Sequence, residues 1–352
     1  MVKILDRYVF TEGLRFFSLS LLTFLTLFLI IDLVSNIELF MKYGLKAGLT
    51  YLLGRLPLYG VRVIPIATLL STMLTLSKFS STNELTVVRA LGVSVYRFSL
   101  PLFGLAVLVA ALSVGLQEFA VPKGLKAVEK ITALKKKKKK TLPLHGVWLK
   151  NEKGEFIFFW EFKPELKRAD RVTILKVKGV LPTERIDATQ GVNVKGKEWL
   201  LKEGFKRDLK ELKSSPFKEK MVNLGISADE VALSSTSPEA MGLWELFLTA
   251  KRLEKIGYRA DYLWLELYSK LALSLLPIVV TLLGIPFGVY NPRNKKGYTA
   301  LFAAALIVSM WIVISLFLSL GKSGILPPSY AAFAPLFMFG ALGLILLARV
   351  ET

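Results

Sequence analysis

Residues 98–117 read FSLPLFGLAVLVAALSVGLQ. No side chain in this run carries a charge, and as a helix it reaches the roughly 20 residues that cross the hydrocarbon core of a bilayer. Five more runs behave the same way to either side. Phe16–Ile31 is free of charge, with only Asp32 before Glu38, and Leu56–Ser77 holds one charge, Arg62. Leu271–Tyr290, Gly297–Gly321 and Ser323–Ala348 hold none. Three spans precede a long polar middle and three follow it. No small-x-small cleavage site follows the first run, so it reads as a span rather than a signal peptide.

The composition agrees. The chain has 352 residues, 53% of them apolar, with 47 Lys and Arg against 27 Asp and Glu, a formal charge of +20. The mean hydropathy is +0.49. A soluble domain spreads its apolar positions by periodicity, whereas these are gathered into runs. There is no cysteine and one histidine, His145. This excludes cysteine nucleophiles, disulfides, cysteine-ligated metal and nearly all histidine-based catalysis.

An even number of spans puts both termini on one side, and the short loops choose it. Lys3, Arg7, Arg15, Lys78, Arg89, Arg97, Arg293, Lys295, Lys296 and Arg349 fall on one side, and only Lys42, Lys46 and Lys322 on the other. Both termini are therefore expected in the cytoplasm and the polar middle outside.

That middle reads as β. Val147–Leu149, Glu155–Phe162, Val172–Val177, Gly191–Val194 and Trp199–Phe205 are short aromatic and β-branched runs broken by turn signals. Period 2 puts Phe156, Phe158 and Trp160 on one face, either the core of a sandwich or an apolar groove for acyl chains. The expected fold is an α-helical membrane protein of six transmembrane helices, with an extracytoplasmic all-β, jellyroll-like domain inserted between helices 3 and 4. The boundaries are 1–120 for spans 1–3, 121–237 for the β domain and 238–352 for the rest. The lysine block Lys135–Lys140 ends a basic linker over 123–140, read as solvated or as an attractor for anionic headgroups. Pro238–Tyr258 reads as an amphipathic helix, with Met241, Trp244, Leu248 and Leu253 at roughly helical spacing, suited to a membrane surface.

Chemistry is scarce. Gly321-Lys322-Ser323 lacks the earlier glycine of a phosphate loop, and no paired carboxylates or nucleophile elbow stand in a convincing context. The spans carry no mid-membrane proton relay. Energy for any transport is therefore expected from a partner. The loop Lys78–Arg97 offers a short helix over 80–92, with caps at Ser81–Asn83, Glu84 in its first turn, a stripe of Leu85, Val88 and Leu91, and Gly92 as a stop. It reads as a docking element or as a surface helix packed on the span ends. Lys42, Lys46, Arg55 and Arg62 lie around the outer ends of spans 1 and 2, where they snorkel or bind phosphate.

These residues resemble the LptF/LptG lipopolysaccharide-export permease family over essentially the whole chain. The resemblance rests on Leu5-Asp6-Arg7-Tyr8, the run Asn83–Gly92, Glu118–Pro122, Gly146–Lys150, Tyr262–Glu266 and Gly284-Ile-Pro-Phe-Gly288, in that order. It implies a permease subunit of an ABC exporter, paired with a sister LptF or LptG on an LptB-type ATPase dimer and handing lipopolysaccharide to LptC. ATP and Mg would be held by the ATPase, no cofactor by this chain, and nucleic acid is no partner. Glu84 would dock in the ATPase, with Leu85, Val88, Arg89, Ala90 and Gly92 around it. Lys42, Lys46, Arg55 and Arg62 would meet lipid phosphates, and Phe156, Phe158 and Trp160 would line an acyl groove. Gly146-x-Trp148 leans towards LptG. The alternative is a mechanical or structural membrane protein that moves no lipid itself.

Overall fold

The computed structural model describes residues 2–136, 144–151, 155–163, 166–178, 181–209, 213–228, 231, 238–255, 260–289 and 296–350. The chain divides into two compact units, one of helices and one built around a sheet.

In the helical unit, α1 (Val2–Ser35), α2 (Ile37–Ser81), the short α3 (Glu84–Ala90), α4 (Val95–Gly115) and α5 (Val121–Lys136) come before the sheet. A five-residue π-helical turn, Leu116–Ala120, joins α4 to α5. After the sheet comes α6 (Leu243–Lys255), which from Glu245 on belongs with the sheet unit, and then, in the helical unit, α7 (Asp261–Val289), α8 (Lys296–Lys322) and α9 (Pro328–Ala348). Among the described residues six helices are long and apolar enough to span a membrane, as expected. Their ends differ from the charge-free runs. Residues 37–50, expected as a loop carrying Lys42 and Lys46, are helical, broken only at Asn36 and kinked at Gly44 (φ 81°). Leu39 explains this: it is buried with Tyr51, Val128 and Ile131, so the segment has an apolar face to spend on packing. The basic linker is likewise helical through Lys136, while Lys137–Lys140 lie outside the described residues.

α2 is the hub. Its apolar window is 78% buried, against 17% for α1 and 11% for α8. Leu69 and Met73 pack on Leu276, Val280 and Leu283 of α7, Ala303 and Met310 of α8, and Leu336 and Phe339 of α9. Higher on α2, Val63, Ile64 and Ala67 meet Phe17 of α1 and Leu105 and Val109 of α4. Glycines allow two close crossings. A Cβ on Gly288 would sit 2.8 Å from Leu76 Cβ, and one on Gly54 would sit 2.7 Å from the Gly124 carbonyl oxygen. The Gly284–Gly288 motif is thus a small-residue face on which α7 meets α2.

The sheet unit is an antiparallel meander of six strands in sequence order: β1 (Leu144–Lys150), β2 (Phe156–Lys163), β3 (Arg168–Lys178), β4 (Leu181–Lys195), β5 (Glu198–Asp208) and β6 (Lys213–Asn223). The inserted all-β domain is therefore present. Its core is one face of the sheet, Ile157, Phe159, Phe162, Val172, Ile174, Ile186, Trp199 and Leu201, covered by Leu224, Ile226, Ala228 and Val231. Trp199 stacks on Phe159 at 5.2 Å between centroids. Its indole N–H donates to the Ile226 carbonyl at 2.7 Å, which satisfies the buried donor and fixes the covering segment.

A crease crosses the sheet. The pairing registers skip Gly146, Trp160, Arg171, Thr189, Glu203 and Lys218, which form one row over all six strands. Arg171 and Glu203 take φ of 53° and 47°, the left-handed region that side chains other than glycine seldom adopt. The Thr189 hydroxyl donates to the Glu203 carbonyl at 2.8 Å across the row.

Candidate functional site

The loop between α2 and α4 is built from both ends. α2 runs to Ser81, and α3 starts at Glu84 after Asn83 in the left-handed conformation. Gly92 ends the helix with φ 80°. The Val93 N–H reaches back to the Val88 carbonyl and the Gly92 N–H to the Arg89 carbonyl, the paired bonds of a Schellman stop. Ser94 then caps α4, its hydroxyl accepting from the Arg97 N–H.

Leu85, Val88 and Leu91, expected as one apolar stripe, separate. Leu85 is 4% exposed and packs with Val9, Phe79, Val95 and Phe98, and Val88 leans on the same cluster. The outward face instead carries Val87, Arg89, Ala90 and Leu91, with Leu91 71% exposed. Three and four residues apart are neighbours on a helix, and Leu85 and Val88 are the pair that meets the two phenylalanines. Glu84 stands at the base of this face, half-exposed, and accepts from the Thr82 hydroxyl at 2.8 Å. This is a buried root under a small exposed apolar face, with a carboxylate at its edge.

The four basic residues expected to bind phosphate do not form one ring. All lie on α2, from Lys42 to Arg62, about 30 Å of helix at 1.5 Å per residue. At 100° per residue Arg55 and Arg62 share a face and Lys46 points to the opposite one. Lys42 lies beyond the Gly44 kink, 3.5 Å from Glu38, both exposed. Arg55 is already engaged. Its Nη1 lies 3.3 Å from Asp32 Oδ1 and donates to the Tyr59 hydroxyl at 3.0 Å, and its guanidinium sits 5.1 Å from the Tyr51 ring centre. Asn36 supports Asp32 from its own helix at 3.0 Å. Among the described residues Asp32 Oδ2 and Arg55 Nε have no hydrogen-bond partner. The arrangement is a one-pronged ion pair backed by the Tyr59 hydroxyl and the Tyr51 ring.

Phe156, Phe158 and Trp160 share a face, as expected, but it is the outer one. Phe156 is 37% and Trp160 51% exposed, while Ile157 and Phe159 are fully buried opposite them. Arg171 covers Trp160 at 5.4 Å, and Phe158 meets Trp160 edge-on. The row is therefore not the sandwich core, and as a groove lining it faces away from the packed side of the sheet.

Sequence reasoning missed a buried polar cluster at the π-helical turn. The Gln117 amide donates to the Lys270 carbonyl at 2.6 Å and to the Ser274 hydroxyl at 2.9 Å. Lys270, 6% exposed, donates to the carbonyls of Glu239 and Met241 at 3.0 and 2.6 Å, and lies 4.0 Å from Glu266. Glu118 accepts the Trp244 N–H at 3.2 Å. The charge-free run begins at Leu271, so it stopped one residue short of the buried lysine; Gln117 was the one visible signal. In α6, Leu246, Thr249, Ala250 and Leu253 are buried, while Trp244 and Leu248 face outward. The helix begins at Leu243, after a 3-10 turn at Pro238–Ala240, rather than at Pro238. Among the described residues no group of His, Asp and Glu is arranged to hold a metal ion. The side chain of His145 lies outside the described residues.

An uncharacterized protein of Aquifex aeolicus (strain VF5) is similar to this chain, 28% identical over 336 residues and covering 88% of each. Among the described residues the chain thus sets six helices long and apolar enough to span a membrane to either side of an inserted sheet, with a rooted helix in the loop between the second and third. Over residues 7–349 the chain matches the family described as lipopolysaccharide export system permease LptF/LptG, and it belongs to that family.

Proposed function

We propose that the chain is the membrane subunit through which an LptB-type ATPase dimer drives lipopolysaccharide out of the membrane, beside a sister permease and towards LptC. The observation that carries this is α3: a seven-residue helix whose root, Leu85 and Val88, is held in the bundle while Val87 and Leu91 stay exposed, with the Glu84 carboxylate at their edge. A helix of this kind suits a groove that takes an apolar face and one charge. ATP and Mg belong to the ATPase, and α3 and both termini face the cytoplasm, with the sheet unit in the periplasm. Arg55 and Arg62 are the basic pair best disposed for lipid phosphates, since they share a face; Lys42 and Lys46 serve the same anion less directly. The exposed row Phe156, Phe158 and Trp160 is a surface for acyl chains, as the packed face is already filled by Trp199 and the covering segment. The Gly146-x-Trp148 opening favours the LptG role.

The test is co-purification with the ATPase and sister permease. Glu84→Ala is expected to weaken ATPase capture by about tenfold, the loss of one interface anchor, while the chain still inserts. Full capture and full lipid release by Glu84→Ala would remove α3 from this role.

A further inference from the structure

The helix that carries α3 into and out of its loop is gripped on both sides by α1. At the entry, Lys78 near the end of α2 puts its ammonium 2.6 Å from Glu12 Oε1. Glu12 is only 7% exposed and also receives Arg15 at 3.4 Å. At the exit, Arg97 in the first turn of α4 forms a two-pronged bond to Asp6, Nη1 to Oδ1 at 2.9 Å and Nη2 to Oδ2 at 2.7 Å. Asp6 and Glu12 are six residues apart, about 9 Å along α1. Between them Tyr8 meets Phe79 edge-on at 5.3 Å, and Val9, fully buried, shares a cluster with Leu85, Phe79, Val95 and Phe98. The Ser71 hydroxyl adds a bond to the Gly13 carbonyl at 2.6 Å.

Beyond this joint α1 runs as one continuous helix to Ser35, packed on α2 and α4 through Phe17 and joined to α2 by the Asp32–Arg55 pair, with its remaining face outward. A continuous helix carries a shift of its first turns along its length. We infer that Asp6 and Glu12 are positioning residues: two charge pairs, Asp6–Arg97 and Glu12–Lys78, clamp α1 to both limbs of the α3 loop, so that displacement of α3 is delivered to α1. This rests on the docking role proposed for α3, but the clamp itself is independent of it. Two-pronged carboxylate–guanidinium bonds fix direction as well as distance, which a transmitting joint requires. Tyr96 donates to the Leu347 carbonyl at 2.9 Å on the other side of the loop and gives a control that leaves the clamp intact.

Two measurements test this on the full-length chain. The chain has no cysteine, so spin labels at Thr86→Cys on α3 and Leu22→Cys on α1 report their separation directly. Asp6→Asn with Glu12→Gln is expected to broaden that distance distribution, and Tyr96→Phe to leave it unchanged. In the complex with ATPase and sister permease, the same double variant is expected to retain ATPase capture and hydrolysis within twofold while lipid released per ATP falls at least fivefold. The charge exchange Asp6→Arg with Arg97→Asp is expected to restore at least half of the loss seen with Asp6→Arg alone. An unchanged distance distribution, or unchanged lipid release per ATP with both pairs broken, overturns the clamp. If the wild-type chain captures no ATPase while the label distances respond as expected, the exporter reading fails and the mechanical mount stands.

Discussion

Asp32 and Arg55 show how one residue changes the reading of another. Four cations near the outer ends of two spans suggest a phosphate site, yet Arg55 is held by Asp32 from the neighbouring helix. Asp32 is 7% exposed, so its bond to the 35% exposed Arg55 is sheltered from water, and its removal leaves Arg55 on Tyr59 and Tyr51. Asp32→Ala is expected to destabilise the chain by on the order of 2 kcal/mol, the value of a lost charged hydrogen bond, read as a lower melting midpoint in detergent; Arg55→Ala with Asp32→Ala should recover part of it. In the sheet unit, Asp170 sits 2.7 Å from the Lys163 ammonium and 3.0 Å from Arg168 Nε. The bond from Lys163, then Arg168, holds its carboxyl below the usual aspartate range. A depressed carboxylate adds stability above its unfolded pKa of about 3.9, and that stability is lost as pH falls through the lower folded value. Sheet unfolding followed by circular dichroism from pH 5 to pH 2 should therefore steepen below about pH 4, and Asp170→Asn should flatten that dependence.

At the scale of elements, Gly92 is the residue whose conformation α3 depends on. Its φ of 80° admits glycine freely. Gly92→Ala carries about 1–2 kcal/mol of left-handed strain, which should speed hydrogen exchange at the Leu91 and Val93 amides by about tenfold. If exchange at those amides is unchanged, the Schellman stop does not set the end of α3. The sequence made α3 and most strands legible, since cap and turn residues act locally. Which side of β2 is buried was not legible, because FIFFWEF is apolar on both faces and the burial pattern slips between Trp160 and Phe162. β6 was missed for another reason: KSSPFKEKMVN is the lysine-rich, proline-bearing strand at the sheet edge, with no continuous apolar face to betray it.

For the whole molecule, the spans were legible because a charge in hydrocarbon is costly and long uncharged runs are rare. The span ends were not, because these charges sit inside helices with compensating partners, Glu12 and Lys78 across two helices and Glu266 and Lys270 one turn apart on α7. Spacing along one chain does not reveal a partner 66 residues away, as for Glu12 and Lys78. The low burial of α1 and α8 predicts how the molecule meets its surroundings. Single cysteines at Leu22 and Val308, 63% and 57% exposed, should react with a membrane-soluble maleimide and resist a water-soluble one. A cysteine at Phe205, 50% exposed on the sheet, should accept the water-soluble reagent. Equal labelling of Leu22→Cys and Phe205→Cys by the water-soluble reagent would contradict a membrane-facing α1.

The crease gives the sheet a rule of parity. On one side of the row the inward residues are Ile157 and Phe159, Val172 and Ile174, and Ile186 and Ala188 in their strands; across it the count shifts by one, to Phe162, to Ala169, and in β5 to Trp199 and Leu201. Odd and even therefore exchange roles along the same line in neighbouring strands. Deleting one residue within a strand would put half of it out of step with its neighbours and turn its charged side chains into the core. Such a domain can change its side chains freely, but it can change its length only in its turns.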